Sequence, residues 1–230
     1  KDLQGGSASQ DVAYSRARTL WGQALEDRDK NPSSDAWKKS FAEAKPYFVT
    51  TAKNLKSEYQ DIAWVYLARI AYELGDFDGV GKAVDEALAY WETPEAKGRV
   101  ASDEKLAGAR KGQVAAVTYW KAAALVRAAD ALAARKDDTG AKARYEAALG
   151  VLDPYAARFG ATAADYRSKA LGLRVEALVG AGRTDDGEKA LGDVVQADPD
   201  YYALPKLIAI FAERYRQKEK EIQDRIQEVV

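Results

Sequence analysis

The chain has 230 residues, of which 47% are hydrophobic and 31% are charged, as is ordinary for a folded soluble domain. Thirty-five basic and 36 acidic residues give a net charge of −1, too little positive charge to neutralise a phosphate backbone, so we expect no nucleic-acid partner. The chain contains no Cys, His or Met. This excludes disulfides, thiolate nucleophiles and every catalytic or metal site that depends on Cys or His.

Residues 1–9 are small and polar, and we expect them to form a flexible N-terminal segment. From about Gln10 the chain is rich in Ala, the strongest helix former, and lacks the alternating apolar and polar residues of strands. The sequence therefore predicts an all-α protein. Residues 10–60 are predicted to be helical, with a degenerate repeat unit between 13 and 57. Pro46 either begins a new helix there or kinks a longer one.

The clearest internal unit is the segment 61–94, DIAWVYLARIAYELGDFDGVGKAVDEALAYWETP. Hydrophobic and small residues recur at helical spacing in each half, so each half has one apolar face. Between the halves, Gly75 can adopt the positive φ that ends a helix, and Asp76 can cap the next one. The pattern predicts an antiparallel helix hairpin. The two faces consist of Trp64, Leu67, Ala68 and Ala71, and of Val80, Val84, Ala87 and Leu88.

Two further segments, at about 121–154 and 168–199, repeat this layout, and each has a proline at or near its end. The three segments resemble the tetratricopeptide repeat, a helix-turn-helix unit of 34 residues. The resemblance is most specific at 61–94, where Trp64, the Gly-Asp-aromatic turn and an Ala-Leu pair fall at the family's spacing. Ala71 stands where the family usually has an aromatic residue. The resemblance implies an α-solenoid of antiparallel helix hairpins over 61–202.

Two regions depart from this pattern. Residues 92–112 are polar and contain glycine, and we interpret them as an insertion whose loop leads into a long helix starting near Ser102. Residues 203–230 are predicted to form a C-terminal helix, apolar in its first half and highly charged in its second. We interpret this helix as the cap that an open-ended stack requires. Alternatively, its thin stripe of Ile222 and Ile226 docks on a partner or on a second copy of the chain.

Carboxylates are the remaining candidates for catalysis, because paired carboxylates can hydrolyse glycosides or bind a hard cation. All the Asp pairs fall at the turn within a repeat, where Asp caps helices and complements the helix dipole, so we interpret them as structural. No phosphate loop, dinucleotide fingerprint or metalloprotease motif occurs. We therefore predict no enzymatic activity, no catalytic residue, no metal and no cofactor. The pairs are Asp76/Asp78, Asp137/Asp138 and Asp185/Asp186.

The tryptophans are interpreted mainly as packing residues, Trp64 in the core and Trp21, Trp37 and Trp120 between helices. In proteins of the resembled family, partners bind a concave groove that residues of the first helices line. The resemblance places four residues of the clearest unit there, and four of the other two units. None of them supplies the Lys and Asn with which some family members clamp a peptide C-terminal carboxylate, and this disfavours that kind of partner. The groove positions are Val65, Arg69, Tyr72 and Glu73, and then Val126, Asp130, Gly172 and Glu176.

We therefore predict a non-enzymatic repeat protein that binds a protein partner in the groove or at the ends of the solenoid, or that scaffolds a larger assembly. The alternatives are an accessory subunit of a cell-envelope complex, a glycan-binding α-helical protein, and a homo-oligomer assembled through the C-terminal helix. The longest apolar stretch, at 114–126, is too short to span a bilayer, so we predict no transmembrane segment. Because the chain lacks Met, we expect residues upstream of Lys1 and favour export to the periplasm or cell envelope over the cytoplasm.

Overall fold

The computed structural model describes the backbone of residues 5–54 and 56–229, and the side chains of these residues except 5–11, 161, 164, 214, 217–219 and 221–229. Every regular element within these residues is helical, which confirms the all-α prediction. The chain divides into two compact units. Unit 1 comprises 1–124 and 161–163, and unit 2 comprises 125–160 and 164–230.

Unit 1 is built from consecutive helices that pack on their neighbours in the chain. Helix α1 packs on α2, α2 on α3, and α3 on α4. Helices α3 and α4 are antiparallel, because Gln60 and Asp61 at the start of α3 accept hydrogen bonds from Tyr90 and Trp91 at the end of α4. The predicted hairpin at 61–94 is therefore present. The helices of unit 1 are α1 (Gly5–Lys30), α2 (Ala36–Ala52), α3 (Gln60–Glu73), α4 (Phe77–Trp91), α5 (Pro94–Ala101) and the larger part of α6 (Glu104–Ala134).

Unit 2 contains the last part of α6 and, among the described residues, five further α-helices. Helix α7 packs on α9, α9 on α10, and both α9 and α10 contact α11. A 3-10 turn at Gly160–Ala163 precedes α9 in the chain. The helices are α7 (Asp138–Leu152), α8 (Tyr155–Phe159), α9 (Ala164–Gly180), α10 (Thr184–Ala197) and α11 (Leu204–Val229).

Three helix–helix turns share one hydrogen-bond geometry. In the α3–α4, α6–α7 and α9–α10 turns, a backbone N–H bonds the carbonyl five residues earlier, as in a Schellman motif. The residue before that N–H has positive φ in each case: Gly75 at 74°, Lys136 at 64° and Gly182 at 82°. Asp76 and Asp137 then accept a hydrogen bond from the backbone N–H three residues on. The same backbone geometry therefore ends the first helix in all three segments with the predicted repeat layout. An Asp side chain caps the second helix in two of them, whereas Arg183, the N-cap residue of α10, makes no capping hydrogen bond with its side chain.

The tryptophans occupy the core to different degrees. Trp64 and Trp21 are buried at 5% and 4% exposure, as predicted, whereas Trp37 and Trp120 are half-buried. Trp91, at 4% exposure, is also buried. The largest fully buried side chains of unit 1 include Phe41, Phe48, Ile70, Val80, Val84 and Val117, and those of unit 2 include Leu149, Leu178 and Leu207.

The segment 92–112 differs from the predicted loop. Helix α5 occupies most of its first half, whereas α6 begins at Glu104, close to the helix start predicted near Ser102. The reason lies in Thr93 and Pro94: the Thr93 hydroxyl accepts from the N–H of Ala96, and Pro94 is the first helical residue, where its missing N–H costs nothing. The prediction of a loop was wrong because composition was given more weight than this helix-start signal.

The N-terminal region differs in two further respects. The backbone is helical from Gly5 onward, so the predicted flexible segment 1–9 overlaps the start of α1, and its first four residues lie outside the described part. Pro46 lies inside α2 and does not begin a helix of its own. None of the described helices combines the length and the apolar character needed to cross a bilayer.

Candidate functional site

The four predicted groove residues of α3 have different environments. Val65 is 7% exposed and belongs to the core, so it is not part of the candidate site. Arg69, Tyr72 and Glu73 are half-buried. These three side chains lie on the last two turns of α3, where positions three and four apart share a face. The candidate site is therefore the C-terminal end of α3 together with the side chains that surround it.

Arg69 lies between two indole rings. Its Cζ is 4.7 Å from the ring centroid of Trp21 on α1 and 5.4 Å from that of Trp120 on α6. Both distances are within the range of cation–π attraction, which is stronger where the groups are shielded from water. Tyr72 stands beside them, with its ring centroid 5.0 Å from that of Trp120. We call Trp21, Arg69, Tyr72 and Trp120 the arginine–aromatic cluster.

Glu73 is shared by two arginines at this cluster. Its Oε2 is 2.8 Å from Nη1 of Arg28, and its Oε1 is 3.5 Å from Nε of Arg69. The Glu73 side chain is only 15% exposed, so both ion pairs are partly shielded from solvent. One carboxylate thus faces two guanidinium groups, and the closer contact is to Arg28. Because Arg28 also has the exposed carboxylate of Asp29 at 3.9 Å, Arg69 is the more weakly paired of the two guanidinium groups.

The polar atoms of the cluster are incompletely hydrogen-bonded. Nε of Arg69 and Nε1 of Trp120 are buried without a hydrogen-bond partner. A buried donor left without an acceptor costs about 1–3 kcal/mol. The two Nη atoms of Arg69 donate to no group in the described part of the chain. Unlike Nε, these two atoms are not buried, and the Arg69 side chain is 34% exposed. Arg69 therefore presents its guanidinium end to the surface with donors available.

The groove positions of unit 2 form a satisfied network of charges. Arg127 bonds Asp130 at 2.5 Å and Glu176 at 2.7 Å. The second oxygen of Asp130 accepts from the Tyr145 hydroxyl at 2.6 Å, and the second oxygen of Glu176 is 3.1 Å from Nζ of Lys206. Burial raises the pKa of Tyr145, and its bond to the Asp130 carboxylate raises that pKa further. Two acids face two bases here, and this arrangement leaves no surplus charge for a ligand.

Two further predicted positions in unit 2, Val126 and Gly172, offer no open contact surface. Val126 is fully buried, and a Cβ on Gly172 would lie 2.7 Å from the ring of Tyr201. Ile222 and Ile226 fall within the range of α11, but their side chains lie outside the described part. Arg69, Tyr72 and Glu73 are thus the predicted groove residues of α3 that lie together at half-buried positions, and their role in binding stays a prediction.

The Asp pairs stand at the starts of three different helices, α4, α7 and α10. Asp76 and Asp137 each accept from a backbone N–H at 2.9 Å, which confirms their interpretation as helix caps. Asp185 and Asp186 lie in the first turn of α10, where a negative charge complements the helix dipole. Among the residues with described side chains, no group of three or more acidic groups is placed to hold a metal ion.

Protein-family models, curated proteins and solved structures contain no match to this chain. Among the residues that the structure describes, the elements are helical, and Arg69 lies at a partly exposed aromatic surface with its only carboxylate contact at 3.5 Å. The functional inference below therefore depends on the arginine–aromatic cluster.

Proposed function

We propose that this chain is a non-enzymatic protein-binding protein of the tetratricopeptide-like type, and that the arginine–aromatic cluster holds the partner. The observation that carries the proposal is Arg69, a guanidinium packed against rings from α1 and α6 with its donors at the surface. Trp, Tyr and Arg are the residue types most enriched among binding hot spots. An arginine already positioned by its neighbours loses less side-chain entropy when a partner binds.

The proposed architecture is an α-solenoid with α11 as its C-terminal cap. Its support is the shared turn geometry at Gly75, Lys136 and Gly182, together with the resemblance to the repeat family at 61–94. In such a stack, α1, α3 and α6 are the first helices of successive hairpins. Their side chains belong to the surface that solenoid proteins commonly use for binding. The cluster draws one or more residues from each of these three helices.

Site-directed photo-crosslinking tests the proposed surface. A photoreactive phenylalanine analogue at Tyr72 is expected to give one discrete adduct in native extract. The same analogue at Tyr47, which is 39% exposed on α2 of the same unit, is the matched control. The adduct from position 72 should disappear when Arg69→Gln is added. Equal adducts from both positions, or an adduct indifferent to Arg69→Gln, would contradict binding at the cluster.

Self-association through α11 is a second candidate role. Ile208 and Tyr215 are 49% and 51% exposed, and a separation of seven residues places them on one face of α11. The predicted stripe of Ile222 and Ile226 continues in the same helix. We expect a chain truncated after Arg216 to have a lower mass by light scattering than the full chain. An identical mass would remove this role and leave the cluster untouched.

The remaining alternatives differ in their support. An accessory role in a cell-envelope complex is compatible with partner binding, and the coding sequence upstream of Lys1 tests it: a charged, then apolar, then small-residue segment would favour export. The glycan-binding alternative gains no support from the Asp pairs, because each pair begins a different helix.

A further inference from the structure

The charge at the arginine–aromatic cluster favours a monoanionic ligand group. Glu73 contacts Arg28 at 2.8 Å and Arg69 only at 3.5 Å, and Arg28 also has the carboxylate of Asp29 at 3.9 Å, so the weakly paired positive charge at the cluster is that of Arg69. A carboxylate matches that charge. A phosphate group carries −1.5 to −2 at neutral pH, and part of its charge would be repelled by the nearby Glu73 carboxylate.

The geometry of Arg69 favours a planar acceptor. Its two Nη atoms reach the surface, whereas its Nε is buried. The outer edge of a guanidinium presents parallel N–H groups that match the two oxygens of a carboxylate, and such charge-assisted hydrogen bonds are roughly twice as strong as neutral ones. The rings of Trp21 and Trp120 restrict the guanidinium before any ligand arrives. A pre-positioned donor of this kind selects for orientation as well as charge.

We infer that the partner carries an internal Asp or Glu whose side-chain carboxylate binds the two Nη atoms of Arg69, with a neighbouring apolar residue packed against Tyr72 and Trp120. This inference rests on the proposed function of the same cluster. The aromatic neighbours supply the apolar contact that a single ion pair at a protein surface lacks. The occupant is therefore an acidic, partly apolar peptide segment.

Selection from a random peptide library displayed on phage tests the inference. The C-terminus of each peptide is fused to the coat protein, so that only side chains of the peptide offer carboxylates. The selected peptides are then synthesised with amidated C-termini and titrated against the full chain. We expect them to contain Asp or Glu beside an apolar residue. Replacing that acid by its amide should weaken binding about tenfold or more, the size of a lost charge-assisted hydrogen-bond pair.

The protein variants locate the contact. Arg69→Gln should weaken binding about as much as the acid-to-amide change in the peptide. When both changes are made together, the loss of binding free energy should be smaller than the sum of the two separate losses. Arg174→Gln is the matched control, because Arg174 is 29% exposed and ion-paired with Asp153 in unit 2. Its affinity should equal that of the wild type. Glu73→Gln should tighten binding several-fold, because it removes the carboxylate that competes with the ligand for Arg69. This result is informative because a misfolded variant would not gain affinity.

The outcomes separate the inference from the proposed function. Peptides that lose affinity with Tyr72→Ala but contain no acid, or that tolerate Arg69→Gln, would overturn the acidic partner and leave the binding surface in place. Selected peptides that tolerate both Tyr72→Ala and Arg69→Gln would contradict the surface itself. Weaker binding to Glu73→Gln than to wild type would also overturn the inference, because Glu73 would then take part in holding the ligand.

Discussion

Asp61 of α3 and Arg110 of α6, 49 residues apart in the chain, form a bidentate ion pair with side chains only 6% and 10% exposed. Nε of Arg110 donates to Oδ2 at 3.0 Å, and Nη2 donates to both carboxylate oxygens. Trp91 donates to Asp61 at 3.1 Å, and the backbone carbonyl of Ala96 accepts from Arg110 at 2.7 Å. This pair joins α3, α4, α5 and α6, and nearly all of its polar atoms are satisfied.

Arg110→Met is expected to destabilise the protein by about 3–5 kcal/mol, because it leaves the Asp61 carboxylate buried without its cation. Chemical denaturation followed by circular dichroism measures the change. The double variant Asp61→Asn with Arg110→Met should be more stable than Arg110→Met alone, since a neutral amide can still accept from Trp91. Arg174→Gln breaks a more exposed pair and should cost about 1 kcal/mol or less. A loss below 1 kcal/mol in Arg110→Met would contradict this role.

Gly180 at the end of α9 is expected to tolerate no larger residue. A Cβ there would lie 2.5 and 2.6 Å from two ring carbons of Tyr145. Gly180→Ala should therefore lower stability, although Ala is the better helix former by about 1 kcal/mol. Gly150 in α7 is the control, because its Cβ would meet nothing within 4 Å, and Gly150→Ala should be neutral or stabilising. Thermal unfolding of both variants measures the contrast, and equal shifts in melting temperature would contradict it.

We expect the ionisation of Tyr145 to lower the free energy of unfolding at high pH. Burial and the bond to Asp130 raise the pKa of Tyr145 in the folded state, whereas an unfolded tyrosine ionises near 10. Its stabilising contribution is therefore complete below about pH 10 and is lost as pH rises toward the folded-state pKa. Above pH 10 the free energy of unfolding should fall by about 1.4 kcal/mol per pH unit through this group. Denaturation of Tyr145→Phe between pH 9 and 11 should show a shallower slope, and equal slopes would contradict the assignment.

Arg69 is expected to contribute more to binding than to stability. Arg69→Met keeps an unbranched side chain between Trp21 and Trp120 and removes the buried Nε, which has no hydrogen-bond acceptor and only the 3.5 Å ion pair with Glu73. The lost cation–π contacts and the removed desolvation cost have opposite signs. We therefore expect a change of about 1 kcal/mol or less in the free energy of unfolding, together with loss of partner binding. A large destabilisation in denaturant titrations would assign Arg69 a structural role instead.

Local signals predicted much of the fold, whereas the candidate site depends on distant residues. Gly75, Asp76 and Asp137 were predictable, because a turn or a cap is decided by the few residues around it. The signal for α5 was also local, in Thr93 and Pro94, and was outweighed by the polar composition of the segment. The candidate site instead brings together residues that are far apart in the sequence. The resemblance to the repeat family indicated Arg69, but its two aromatic neighbours come from α1 and α6, and no spacing in the sequence identifies them.

The sequence likewise does not predict how fully the arginines of the two units are paired with carboxylates. Arg69 and Arg127 both lie on helices that the repeat pattern predicts. Arg127 is neutralised by Asp130 and Glu176, whereas Arg69 has only a distant share of Glu73. The contacts of Arg127 with Asp130 and of Arg69 with Glu73 lie within one helical turn, whereas the packing of distant helices adds Glu176 to the first pair and Arg28 to the second. The weaker pairing of Arg69 therefore follows from the assembled helices, because Arg28 takes the closer contact with Glu73.

Partner binding at Arg69 is tested most directly by quantitative co-purification from native extract with the wild-type chain, Arg69→Gln and Arg174→Gln in parallel. Circular dichroism first establishes that all three fold alike. We predict that at least one protein is recovered with the wild type and with Arg174→Gln, and is depleted about tenfold or more with Arg69→Gln, as expected for a lost charge-assisted contact. Recovery of the same proteins in equal amounts with all three chains would contradict a binding site at the arginine–aromatic cluster.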